Sequence, residues 1–195
     1  MSEFEGKPTA ARNPQEGVKN YTPEQILKAM EEEGVTVLKA PQEYHPVTLN
    51  YDGLESEYPN RSQMIAERAK EAADACGKFL AGGLFTDSFA NHSQRRQWRH
   101  EMYEKYGDAF ANLYAHNQLR LNSIVPVHLA FIMAFAKSLD VYKVHSPKAD
   151  AIRSIAADFP DMAQYDDENS AEDKLAYVRK VEDVCKQFLE IMAAK

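Results

Sequence analysis

The sequence predicts an all-α protein, a bundle of five or six helices with an extended N-terminal arm and room for a small β-hairpin. Three observations carry that expectation. Apolar residues recur at spacings of three and four through most of residues 61–195. Capping residues and glycine stops punctuate the pattern at helical lengths. β-Branched alternation is confined to two short runs, Val35–Leu38 and Val47–Tyr51, with Pro41 and Pro46 between them.

Residues 1–20 are rich in Pro, Gly, Asn and charge and have no periodic apolar face, so they read as a polar arm without a core of its own. They hold no apolar stretch of the secretory kind, and their acids do not suit a transit peptide, which points to a cytoplasmic protein. Residues 21–60 read as a short helix plus an extended or hairpin segment. Thr22 suits an N-cap, Pro23 the first turn, Gln25 the far side of a capping box, and Gly34 a stop. Ile26, Leu27 and Met30 form its apolar face.

Residues 61–195 read as the bundle. Ser62 caps a helix to about Leu80, which Gly82 and Gly83 end. Its Ile65, Ala69, Ala72 and Cys76 share a face where small side chains admit a close neighbour. Helices follow over about Asp87–Tyr106 and Asp108–Leu121, parted by Gly107. Ser146 and Pro147 begin another, carrying Ile152, Ile155 and Phe159. An acidic loop leads to a last helix from Ala171, capped by Ser170, where Val178, Val181, Cys185, Phe188 and Met192 form a heptad-like seam. Such a seam packs on its own bundle or docks on a partner.

The run SIVPVHLAFIMAFAK, residues 123–137, is the most apolar stretch. It falls short of the roughly 20 residues of a spanning helix, so no membrane role is expected. It is expected to be the central helix, over about Val125–Tyr142, with Pro126 in its first turn. His128 shares a stripe with Phe131, Ile132, Phe135 and Leu139, which makes it a buried polar residue needing its own hydrogen-bond partners. Ligation of haem or a metal, and a catalytic or switching role, are the alternatives for His128.

The formal net charge is -7, distributed as -6 over residues 1–60, +2 over 61–106, +1 over 107–145 and -4 over 146–195. The ends are acidic and the middle mildly basic, a balance that opposes nucleic-acid binding. Cys76 and Cys185 have no metal-ligand or redox spacing and read as small buried hydrophobes.

The stretch HSQRRQWRH concentrates His92, Arg95, Arg96, Trp98 and Arg99 on one helix, with no acid three or four positions from any of the arginines. Arg95 and Arg99 share a side with Met102 and Tyr106, which implies partial burial. Guanidiniums held there want acidic partners, in cis from the chain's own ends or across an interface. Glu67, Glu71 and Asp74 lie on one side of another helix, and over that helix they resemble half of the magnesium-binding carboxylate pattern of all-helical nucleotide pyrophosphohydrolases. That resemblance implies a metal-dependent hydrolase. The helical period turns the three carboxylates away from Ile65, Ala69, Ala72 and Cys76, as a solvated face would be. His100 and Glu104 are spaced as one ligand pair but lack a second pair. The acidic loop at residues 161–168 lacks the glycine of an EF-hand. No phosphate-binding loop, dinucleotide fingerprint, nucleophile elbow or HExxH occurs.

The expected function is a non-catalytic protein–protein interaction component, a subunit, adaptor or regulator of a larger assembly. It would bind a protein partner or a further copy through the arm, the arginine-rich helix and the last helix. No metal or cofactor is expected. The alternatives are the magnesium-dependent pyrophosphohydrolase and a haem or small-ligand binder around His128.

Overall fold

The computed structural model describes residues 20–87, 92–115, 119–121, 129–159 and 171–195. It is mostly helical, as expected. Among the described residues seven helices form, α1 (Pro23–Glu32), α2 (Ser62–Ala81), α3 (His92–Tyr106), α4 (Asp108–Ala115), α5 (Leu129–Val141), α6 (Pro147–Ala157) and α7 (Ala171–Ala193). Three short strands among them, β1 (Val35–Lys39), β2 (Gly83–Asp87) and β3 (Leu119–Leu121), make one small sheet.

Local chemistry explains several boundaries. The Thr22 side chain accepts from the Gln25 amide while the Gln25 side chain accepts from the Thr22 amide, so the capping box closes α1. Gly34 ends that turn at φ 91°, a backbone region that glycine enters without a steric penalty. Ser146 caps α6 by accepting from the Ala149 amide, and Pro147 fills the first turn. Ser62 does not cap α2. The cap position falls on Arg61, and the Ser62 hydroxyl instead accepts from the Ser56 amide.

The small antiparallel pairing that was expected is present, with a third strand beside it. β1 pairs antiparallel with β2, Val35 opposite Asp87 and Val37 opposite Phe85, and β2 pairs parallel with β3. Val47–Tyr51 forms no strand. It belongs to an extended strap whose polar groups bond to helix ends. The Gln42 amide donates to the Ala81 carbonyl, and the Asn50 amide to the Met192 carbonyl. Lys148 Nζ reaches the carbonyls of Asn50 and Ala194.

Four helices build the main core. α2 packs on α5 and α7, and α6 packs on α5 and α7. Ala69, Ala72 and Ala73 of α2 are buried, and their small size lets the neighbouring helices approach. The seam of α7 is spent inside this bundle: Val178, Val181, Cys185, Phe188 and Met192 are all buried in it. A second core joins α1, β1 and β2 to α3 and α4 through Ile26, Met30, Val35, Phe85, Trp98, Met102 and Phe110. No helix among the described residues is long and apolar enough to cross a membrane.

Candidate functional site

α5 is not the central helix its composition suggests. One side buries Leu129, Ile132, Phe135, Ala136 and Leu139. The other side leaves Phe131, Met133 and Val141 exposed at 45%, 55% and 57%. The stripe expected around His128 therefore splits, with Ile132, Phe135 and Leu139 inside and Phe131 outside. A soluble helix usually carries charge on its outer face, so three large apolar side chains there are out of the ordinary.

Between this face and α2 runs an open groove of about 500 Å³, lined by Arg68, Glu71, Phe131, Ala134, Val141 and Tyr142 among others. Its polar wall is well organised. Arg68 Nη1 donates to Ser138 Oγ at 2.5 Å, and that hydroxyl donates to the Ala134 carbonyl at 2.8 Å. Ser138 is buried, so both of its bonds matter for keeping its oxygen satisfied. At the far end the strap holds Tyr142: Ser56 Oγ donates to its carbonyl at 2.6 Å, and the Arg61 guanidinium lies 5.6 Å from its ring centre. Arg68 and Glu71 stand three residues apart on α2, and Lys137 faces them from α5.

The arginine-rich stretch forms the first half of α3. Arg96 is exposed, whereas Arg95 and Arg99 are half-buried and each already takes part in an interaction within the chain. Partial burial of those two agrees with their sharing a side with Met102 and Tyr106. Trp98 is a correction to the expected partner-binding set. It is 3% exposed and packs edge-on against Phe110 at 6.0 Å, inside the second core. His92 opens α3, and its side chain lies outside the described residues, as does all of His128 together with Pro126.

The three carboxylates of α2 do not converge. Glu67 and Glu71 are exposed, and the Gln63 amide donates to Glu67. Asp74 accepts from the Tyr44 hydroxyl at 2.7 Å. His100 pairs with Glu104 at 3.3 Å on an open surface. Among the described residues no three His, Cys, Asp or Glu side chains gather as a metal site would need. The groove offers apolar area, two cations and one carboxylate.

The exposed face of α5 is the feature that sequence reasoning missed. Its signal was present in the even distribution of apolar residues around the helix, which left the buried side undetermined. The fold is mostly helical, with an open groove between α2 and α5. Comparisons with family models, with curated proteins and with solved structures find no match to the chain.

Proposed function

We propose that this chain is a non-catalytic protein–protein interaction component, a subunit of a larger assembly. The observation that supports it is the exposed apolar surface of α5, with Phe131 and Val141 lining the groove beside its charged wall. The occupant we assign to that face is a second copy of the chain. Arg68 and Glu71 lie on the same wall with opposite sign, so two copies related by a two-fold axis set Arg68 of one against Glu71 of the other. The apolar residues between them supply most of the affinity, and the charges fix the register. Arg96 on α3 is the member of the arginine stretch open to further partners. The seam of α7 drops out of the binding surface because its own bundle covers it.

Sedimentation velocity over a concentration series tests the proposal. The expected result is reversible self-association that Phe131→Glu with Val141→Glu abolishes while far-ultraviolet circular dichroism stays unchanged. A native chain that remains monomeric across the whole series would overturn it.

A further inference from the structure

The groove between α2 and α5 holds a half-buried cation with hydrogen-bonding capacity to spare. Arg68 Nη1 donates to Ser138 Oγ, and that buried hydroxyl donates to the Ala134 carbonyl, so the guanidinium is fixed on the floor of the groove. Among the described residues Nε and Nη2 of Arg68 have no hydrogen-bond or ion-pair partner, and Glu71, one turn along α2, forms none with it. That edge of a guanidinium carries two parallel N–H donors, the fork that a carboxylate accepts with both oxygens. Lys137 adds a second cation from α5 and Glu71 takes one charge away, so the lining carries a net single positive charge. The rest is apolar or aromatic: Phe135 is buried, Phe131 and Val141 are exposed, and the Tyr142 hydroxyl is turned to Met64 Sδ. The volume of about 500 Å³ falls within the roughly 300–1,000 Å³ of small-ligand sites.

We propose that this groove binds a medium-chain fatty carboxylate, with the carboxylate on Arg68 and the alkyl chain along Phe131, Phe135 and Val141. One negative charge matches the lining. A dianion would set its second charge against Glu71, and a cation would meet Arg68 and Lys137. The alkyl chain covers apolar surface that is otherwise wet, so affinity rises with each methylene until the groove is full. Arg68 is also the residue assigned to Glu71 of a second copy. On that reading ligand and second copy compete for one guanidinium, and the ligand regulates assembly; the regulation rests on the self-association proposed above, whereas the binding does not.

Isothermal titration calorimetry of the full chain with decanoate, kept below micelle-forming concentrations, tests the binding. The expected result is saturable one-to-one binding, tighter than that of octanoate. Arg68→Gln with unchanged circular dichroism should weaken it by about tenfold or more, the worth of one charge-assisted contact. Phe131→Ser should weaken it as well. Decanol, which has the same chain and no carboxylate, should bind at least about tenfold more weakly to the native chain, a comparison that stands even where the Arg68 variant fails to fold. Heats that do not saturate, decanol binding as tightly as decanoate, or full affinity in folded Arg68→Gln would each overturn the proposal. Sedimentation with and without decanoate separates it from the self-association reading. Decanoate is expected to shift an associating chain towards monomer. A chain that stays monomeric yet binds decanoate through Arg68 ends the second-copy assignment and supports this one, and a chain that associates but takes up no decanoate overturns this one alone.

Discussion

Gly77 sits in the interior of α2, where glycine costs about 1 kcal/mol relative to alanine. Its surroundings explain why a side chain is excluded. A Cβ there would collide with Cε2 of the Tyr44 ring and stand 3.2 Å from Cζ and 3.3 Å from Cδ2. The hydroxyl of the same ring donates to Asp74 Oδ1 at 2.7 Å, so the ring is held in place one turn before Gly77. Gly77→Ala must push the ring away. The loss is the hydrogen bond, about 1 kcal/mol, plus displaced packing of about 1–3 kcal/mol. The gain is about 1 kcal/mol of helix propensity. The net expectation is destabilisation by about 1–3 kcal/mol. With Tyr44→Ala already made, the same substitution no longer meets the ring and should stabilise by about 1 kcal/mol. Urea unfolding of the four proteins, followed by far-ultraviolet circular dichroism, reads the sign reversal. Equal effects of Gly77→Ala in the two backgrounds, or stabilisation with Tyr44 present, would refute the argument.

Burial, the hydrogen bond to Asp74 and the charge of that carboxylate push the Tyr44 phenol up to about 12 from its ordinary 10. A raised folded-state pKa gives stability that is complete below pH 10 and is lost as pH rises towards 12. Tyr44→Phe should flatten that alkaline decline in urea midpoints measured across the same window. Ser146→Ala removes a cap that accepts from the Ala149 amide at 3.0 Å and donates to the Gly53 carbonyl at 2.5 Å, so thermal unfolding should report a loss of about 1–2 kcal/mol. Arg68→Glu should weaken self-association by sedimentation, and adding Glu71→Arg should restore part of it by re-creating opposite signs across the two-fold axis.

What was legible in the sequence was local. The Thr22–Gln25 capping box, the Ser146 cap and the stops at Gly34 and Gly107 are set by atoms within a few residues of one another, and all appear in place. The seam of α7 was legible because five apolar residues at regular spacing define one side only. What the local pattern left open depended on distant partners. Gly83–Asp87 reads as the end of one helix and the start of another, and it becomes a strand because β1, more than forty residues earlier, is there to pair with it. Val47–Tyr51 has the look of a strand, but the amide of Asn50 finds the Met192 carbonyl of α7 instead of a neighbouring strand. At the candidate site, the near-uniform apolarity of α5 concealed which residues face out. The half-burial of Arg95 and Arg99 could be inferred from Met102 and Tyr106, while the burial of Trp98 required the second core, built by α1, β1 and α4.

α2 is common to the proposed interface, the main core and the sheet. Its first half carries Arg68 and Glu71 on the groove, and its second half turns Cys76 towards α7. Through Gly82 it runs straight into β2, where Leu84 enters the main core and Phe85 the second core on the opposite face of the strand. A helix this well packed moves as a body rather than bending locally. Loosening it against α7 should therefore alter the position or the freedom of Arg68 and Glu71 as well. Val181→Ala removes buried methyl groups from the α7 seam, in the core that α2 shares. The expected result is a raised dissociation constant beside a lowered Tm, read by sedimentation and thermal unfolding of the two chains side by side. An unchanged constant would mean that α2 holds its place on the groove without that packing.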